Sequence, residues 1–201
     1  MSIKYNFYYF GPLLVRFKVS PEILAALKKI ISKKTLKMTK DLAGVIEHEY
    51  EVSPETYDQI MRPYIDGYAE AYKNWTGGET VKGLLKTTRA WVNYMKPHEY
   101  NPPHIHTDCR LSSVLFLSIP EKLKKENKKW RDRQIKSNGP GSIAFNAMLG
   151  GEFCNGGIEM FPEEGDFFMF PANLLHYVAP FRSKCERISL AANFGFVKIR
   201  Q

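Results

Sequence analysis

The chain has little with which to staple or anchor itself. Cys109, Cys154 and Cys185 are the only cysteines in 201 residues, and no two stand as CxxC. An odd, widely spaced set excludes a disulfide scaffold and a zinc ribbon and is expected to stay reduced, as in a cytoplasm. No apolar run approaches the roughly twenty residues that cross a bilayer as a helix. The first residues do not read as a secretion signal, because Ile3, Tyr5, Phe7 and Tyr9, then Leu13, Val15, Phe17 and Val19, recur with the period of a strand. Acidic residues are in deficit, 21 against 29 Lys and Arg, for a net charge of +8. Segment 121–136 concentrates that excess, with eight Lys or Arg against three acids. A solvated helix or loop face is the simple reading of such a run, and a contact for nucleic acid or an acidic protein surface is the functional one. Trp130 within it is a single aromatic, which does not make a stacking platform. There is no internal repeat.

What is present divides into a helical part and a strand-rich part of one domain over residues 1–201. Residues 1–80 read as a hairpin turning at Gly11-Pro12, then helices. Ser20-Pro21-Glu22 and Ser53-Pro54-Glu55 each supply an N-cap, a first-turn proline and a first-turn acid. Ile23, Leu24, Leu27, Ile30 and Ile31 form an apolar stripe behind the first signal. Met61, Tyr64, Ile65, Tyr68 and Tyr72 do so behind the second, where Pro63 marks a kink or the true start. Residues 41–46 are expected to form a short helix, and His48, in an acidic stretch, is a poor ligand candidate. From residue 86 onward strand signals dominate, at 87–95, 104–108, 111–119, 142–148, 157–160, 166–170, 175–181 and 186–198. Short strands between Gly and Pro turns predict a sandwich or barrel, hence an α+β, mainly β fold buttressed by the N-terminal helices. The basic insert 121–140 interrupts the strands and is expected to be a lid or substrate loop.

The most informative residues are His106-Thr107-Asp108, then His176, then Arg187-Ile188-Ser189. Two imidazoles and a carboxylate are the set that holds a non-heme Fe(II) on one face and leaves the other positions open. Side chains two apart on a strand share a face, so His106 and Asp108 would point together, as would Arg187 and Ser189. His104 would share the first face, which leaves His104 with His106 as the alternative to His106 with Asp108. Arg187 stands eleven residues beyond His176. Its guanidinium can grip a carboxylate in two prongs, and Ser189 adds a hydroxyl donor. Ile188, Leu190 and Phe194 alternate with Arg187, Ser189 and Asn193, which predicts a strand with one polar face that could line a ligand cavity. Asn93, Tyr94 and Asn193 are further candidates for the cavity wall.

Around these residues the chain resembles the 2-oxoglutarate- and Fe(II)-dependent oxygenase superfamily, and more narrowly its prolyl-hydroxylase-like members found widely in bacteriophages. The resemblance is carried by Trp91-Val92-Asn93, Asn101-Pro102-Pro103-His104-Ile105-His106-Thr107, Gly165-Asp166-Phe167-Phe168-Met169-Phe170-Pro171, His176-Tyr177-Val178-Ala179-Pro180-Phe181 and Glu186-Arg187-Ile188-Ser189. It implies a double-stranded β-helix (jelly-roll) core at 81–201, Fe(II) on His106, Asp108 and His176, and 2-oxoglutarate on Arg187 and Ser189. With O2, such an enzyme hydroxylates its substrate and releases succinate and CO2; a peptidyl proline is one substrate class among several. The compartment would be the cytoplasm, the host's if the source is viral. Relatives often carry H-x-H with a small residue where this chain has Asp108, so His104 with His106 is the alternative first pair, and His106 with Asp108 is preferred because the carboxylate completes the usual triad. Two other classes compete: a cupin-like jelly roll that binds a metal or small ligand without oxygenase chemistry, and a basic nucleic-acid- or protein-binding module.

Overall fold

Two helices in the N-terminal part start where their signals dictate. In the computed structural model, which describes residues 11–81, 83–133, 138–147, 150–152 and 154–197, helix α1 runs Pro21–Ile30 and α2 runs Pro54–Trp75. The Ser20 hydroxyl accepts the Ile23 amide at 3.4 Å and the Ser53 hydroxyl the Thr56 amide at 3.2 Å. Each bond satisfies one of the orphan donors of a helix start. Pro63 lies inside α2 without ending it. Tyr57 and Met61 before it and Ile65 and Tyr68 after it are all buried, so packing on both sides outweighs one missing backbone bond.

Ten strands are described, of which β2 falls where the sequence predicted none. They are β1 (Val15–Lys18), β2 (Glu49–Val52), β3 (Leu84–Met95), β4 (Asn101–His104), β5 (Leu111–Ser118), β6 (Ile143–Asn146), β7 (Gly157–Met160), β8 (Asp166–Pro171), β9 (Leu175–Val178) and β10 (Arg187–Val197). They form a six-stranded sheet in the order β1-β8-β5-β10-β3-β2 and a four-stranded sheet in the order β4-β9-β6-β7. Every pairing is antiparallel. Two facing antiparallel sheets with long crossovers are a jelly roll.

The large sheet is buried on both faces. Its outer face packs Leu85, Ala90, Val92, Leu115, Phe167 and Leu190 against Leu27, Tyr57, Met61 and Ile65 of the helices. Its inner face meets the small sheet through a second cluster that includes Phe116, Phe168 and Phe170 opposite Ile143 and Phe145. Phe145 lies 5.6 Å from Phe168 and 5.0 Å from Phe170 between ring centroids.

Four expectations need correction or restriction. The first strand of the expected N-terminal hairpin lies outside the described residues, and β1 pairs with β8. Residues 41–46 do not form a helix. A single 3-10 turn at Thr39–Asp41 leads into an extended strap, whose Val45 amide bonds the Tyr100 carbonyl at 2.9 Å. Six residues are too few to repay helix nucleation when a neighbouring chain offers a bridge. The strand expected at 104–108 instead ends at His104. The His106 amide bonds the Ala172 carbonyl at 2.8 Å, in the loop between β8 and β9, rather than continuing a ladder. The basic insert contains a helix, α3 (Glu121–Arg131), whose Leu123 and Asn127 are buried while its lysines are exposed. Asn127 donates to the Pro140 carbonyl at 3.0 Å, and Glu126 accepts the backbone amides of Arg182 and Ser183. The helical part is thus fastened to the barrel; residues 134–137 of the insert lie outside the described set. No helix among the described residues is long and apolar enough to cross a membrane.

Candidate metal centre

Three of the five histidines meet at the open edge between the sheets. His104 ends β4, His176 lies opposite it on β9, and His106 follows in the turn that leads to β5. One ligand nitrogen from each lies within 4.8 Å of the others. Ring centroids are 4.2 Å apart for His104 and His176 and 5.2 Å for His106 and His176.

Backbone carbonyls fix the tautomers of two of them. Nδ1 of His104 is 2.7 Å from the Pro102 carbonyl and Nδ1 of His176 is 2.9 Å from the Leu174 carbonyl. A carbonyl only accepts, so each Nδ1 carries the proton and each Nε2 keeps its lone pair. That is the usual way a protein aims a histidine at a metal. Burial, reinforced by the neighbouring imidazoles, pushes His176 down to about 3 and His106 to about 4, and burial lowers His104 as well. All three are neutral at pH 7, the form that binds a cation. Phe170 stands edge-on to His176 at 4.7 Å and Trp91 lies 6.2 Å from His106, so the site is walled by rings.

Asp108 is placed differently from the alternation argument. It lies beyond the end of β4, in an exposed turn. Its negative charge still reaches His106, whose proton affinity it raises. His106 and His176 are therefore brought together with His104, and Asp108 stands beside that group at the surface.

Arg187 and Ser189 do share the inner face of β10, and both line the cavity that holds the three histidines. Arg187 is 1% exposed. Its guanidinium donates to the Gly141 carbonyl at 3.1 Å, contacts Met95 Sδ at 2.9 Å and lies 5.3 Å from the centre of the Phe116 ring. Gly141 adopts φ +76°, and a Cβ there would press on Leu123 of α3 at 3.1 Å, so glycine lets this carbonyl sit under the arginine. Nε of Arg187 has no partner. Burial lowers the guanidinium to about 10, so it stays charged at neutral pH. A buried cation with an idle donor and no carboxylate partner among the described residues is a socket for an anion. Ser189 sits beside it, accepting from Asn93 Nδ2 at 3.4 Å. Asn93 lines the cavity, whereas Tyr94 points to the helix side of the sheet. Asn193 is buried and accepts from the Ser112 hydroxyl at 3.1 Å.

The sequence reading missed Glu49 and the strap at 42–44, which also line the cavity. A lone glutamate on a four-residue strand carries no motif, and only the fold turns it inward.

The donor set suits the expected groups: three neutral nitrogens for a divalent ion and a buried arginine for a dicarboxylate. No protein of curated function matches the sequence. Solved structures do share the fold. A prolyl-4-hydroxylase from Pseudomonas putida is 16% identical, with a TM-score of 0.58 over 92% of each chain. A prolyl hydroxylase from Trichoplax adhaerens, solved with a hypoxia inducible factor oxygen degradation domain peptide fragment, is 11% identical, with a TM-score of 0.54 over 92% of this chain and 84% of that one. HygX from Streptomyces hygroscopicus, solved with nickel, 2-oxoglutarate and hygromycin B, is 11% identical, with a TM-score of 0.53 over 93% and 83%. The family model for 2OG-Fe(II) oxygenases matches residues 89–193, from β3 to β10. That is more than half of the chain, which therefore belongs to the 2OG-Fe(II) oxygenase family, oxidoreductases that use iron, 2-oxoglutarate and O2.

Proposed function

We propose that this protein is a hydroxylase whose iron is held by His104, His106 and His176 and whose 2-oxoglutarate is held by Arg187 and Ser189. One observation carries the reading: three histidine nitrogens within 4.8 Å of one another share a cavity with a buried arginine that has no anionic partner among the described residues. The competing ligand set, His106, Asp108 and His176, draws support from the charge that Asp108 exerts on His106.

When bound, Fe(II) with 2-oxoglutarate and O2 supplies the oxidising chemistry, in which the keto acid leaves as succinate and CO2. The chain supplies position and charge. The Pro102 and Leu174 carbonyls hold two imidazoles in the ligating tautomer. Arg187 receives the far carboxylate of the keto acid, and the Ser189 hydroxyl donates to it. Phe145 and Phe170 pack against His176 and keep bulk water from that side. A protein side chain is the substrate class that the likeness to the Trichoplax prolyl hydroxylase supports, and the exposed cations of α3 fit an acidic surface on the substrate's carrier.

Anaerobic titration of metal-free protein with Fe(II) and then 2-oxoglutarate tests the site. A visible charge-transfer band is expected on keto acid addition, absent in His176→Ala. Arg187→Lys, which keeps the charge but loses the fork, is expected to need about 10- to 100-fold more keto acid. Loss of the band in His104→Ala with retention in Asp108→Ala supports the three-histidine set; the reverse selects Asp108. Iron binding with no response to the keto acid replaces this reading with the cupin-like one.

A further inference from the structure

Glu49 opens β2 and is 1% exposed. It pairs with Asn93 across β2 and β3, and Asn93 pairs with Ser189 across β3 and β10, so the three form one row on the inner face. That row lines the same cavity as the histidines and Arg187. One carboxyl oxygen is confined by the strap: a Cβ on Gly44 would come within 3.0 Å of Glu49 Oε1 and 2.6 Å of Asn101 Oδ1. The other, Oε2, has no hydrogen-bond partner. Arg187 does not supply one, although it shares the cavity.

A buried acid with an idle oxygen is costly unless a ligand completes it. The surroundings indicate the sign of that ligand. The Glu99 carboxylate, which accepts the Glu47 amide at 2.9 Å and the Lys96 amide at 2.6 Å, casts its negative field on Glu49. Burial first and that field second push Glu49 up to about 8, so it is neutral at pH 7. A neutral donor would be served as well by an amide, and Asn93 already provides one beside it. A carboxyl backed by a second carboxylate gains most from a positive donor, because charge-assisted hydrogen bonds are about twice as strong as neutral ones.

We propose that Glu49 reads the primary substrate, and that the group it reads is a cationic nitrogen, an ammonium or guanidinium. The inference rests on the oxygenase reading only in calling that ligand the substrate. The cavity then divides by sign: the donors Arg187 and Ser189 face the keto acid, and the acceptor Glu49 faces the substrate.

Fragment probes test this on zinc-loaded protein, with and without 2-oxoglutarate, by ligand-observed NMR. Methylguanidinium is compared with its neutral isostere methylurea, and butylammonium with butanol. At least one cation is expected to bind about 10-fold or more tightly than its isostere, with the preference abolished in Glu49→Gln. Equal binding of cation and isostere in both pairs by the unsubstituted protein overturns the proposal, whether or not the variant folds. So does a preference that survives in folded Glu49→Gln. Failure of 2-oxoglutarate to bind the zinc-loaded protein would instead overturn the oxygenase reading, while the cation preference is still read on the keto-acid-free arm.

Discussion

The two faces of the six-stranded sheet are built from the same strands and do opposite work. Toward the helices, β10 presents Leu190, Ala192 and Phe194 and β3 presents Ala90, Val92 and Tyr94, all in one apolar cluster. Toward the small sheet, the same strands present Arg187 and Ser189, then Trp91 and Asn93, to the cavity. Four buried side-chain atoms among the described residues lack hydrogen-bond partners, and three of them, on Glu49, Asn93 and Arg187, belong to residues that line the cavity. One face spends its burial on stability. The other keeps polar atoms dry and unpaired, which is destabilising until ligands arrive and is how a site is held ready.

Substitutions on the two faces should therefore separate stability from binding. The largest expected effect is on the helix side: Met61→Ala should cost about 2–5 kcal/mol of stability through lost burial and a cavity. Its keto acid affinity, measured below the melting transition, should be unchanged. A large loss of affinity there would mean that the two faces are coupled through the sheet. On the cavity side the sign should reverse. Arg187→Met should raise the stability of the ligand-free protein by about 1–3 kcal/mol, since an apolar side chain replaces a buried, unpaired cation, and should abolish the keto acid band. A fall in melting temperature would instead make Arg187 a structural member of the core.

A pH dependence follows from the histidines. Their folded values are depressed, to about 3 for His176 and about 4 for His106, so between those values and about 6.5 the unfolded chain binds more protons than the folded one. The stability of the metal-free protein should be fully present above about pH 6.5 and decline steadily as the pH falls toward 4. Urea titrations at several pH values measure it, and His176→Ala should flatten the slope. An unchanged slope would mean that His176 is not buried in its neutral form.

Much of this was legible along the chain. The two helix starts, the apolar stripes behind them and the alternation through β10 are local patterns with local causes, and all appear where the sequence placed them. Arg187 and Ser189 were readable as a pair because a period of two survives wherever a strand does. The reading weakened where the chain leaves regular structure. His106 and Asp108 share a strand face only if the strand continues, and it stops at His104. The strap at 42–46 and Glu49 carry no periodic signal at all.

The sequence by itself determined the class of chemistry and most of the regular elements: the spacing of His106, His176 and Arg187, the caps and the strand period are encoded within a few residues of one another or in a family pattern. Only the tertiary structure decided which groups share the cavity. Closing the two sheets brings β4 onto β9 and β2 beside β3, which sets His104 against His176 and turns Glu49 inward. Those neighbours are separated by dozens of residues, and only burial between the packed sheets, which excludes water and holds the histidines neutral, makes them one site.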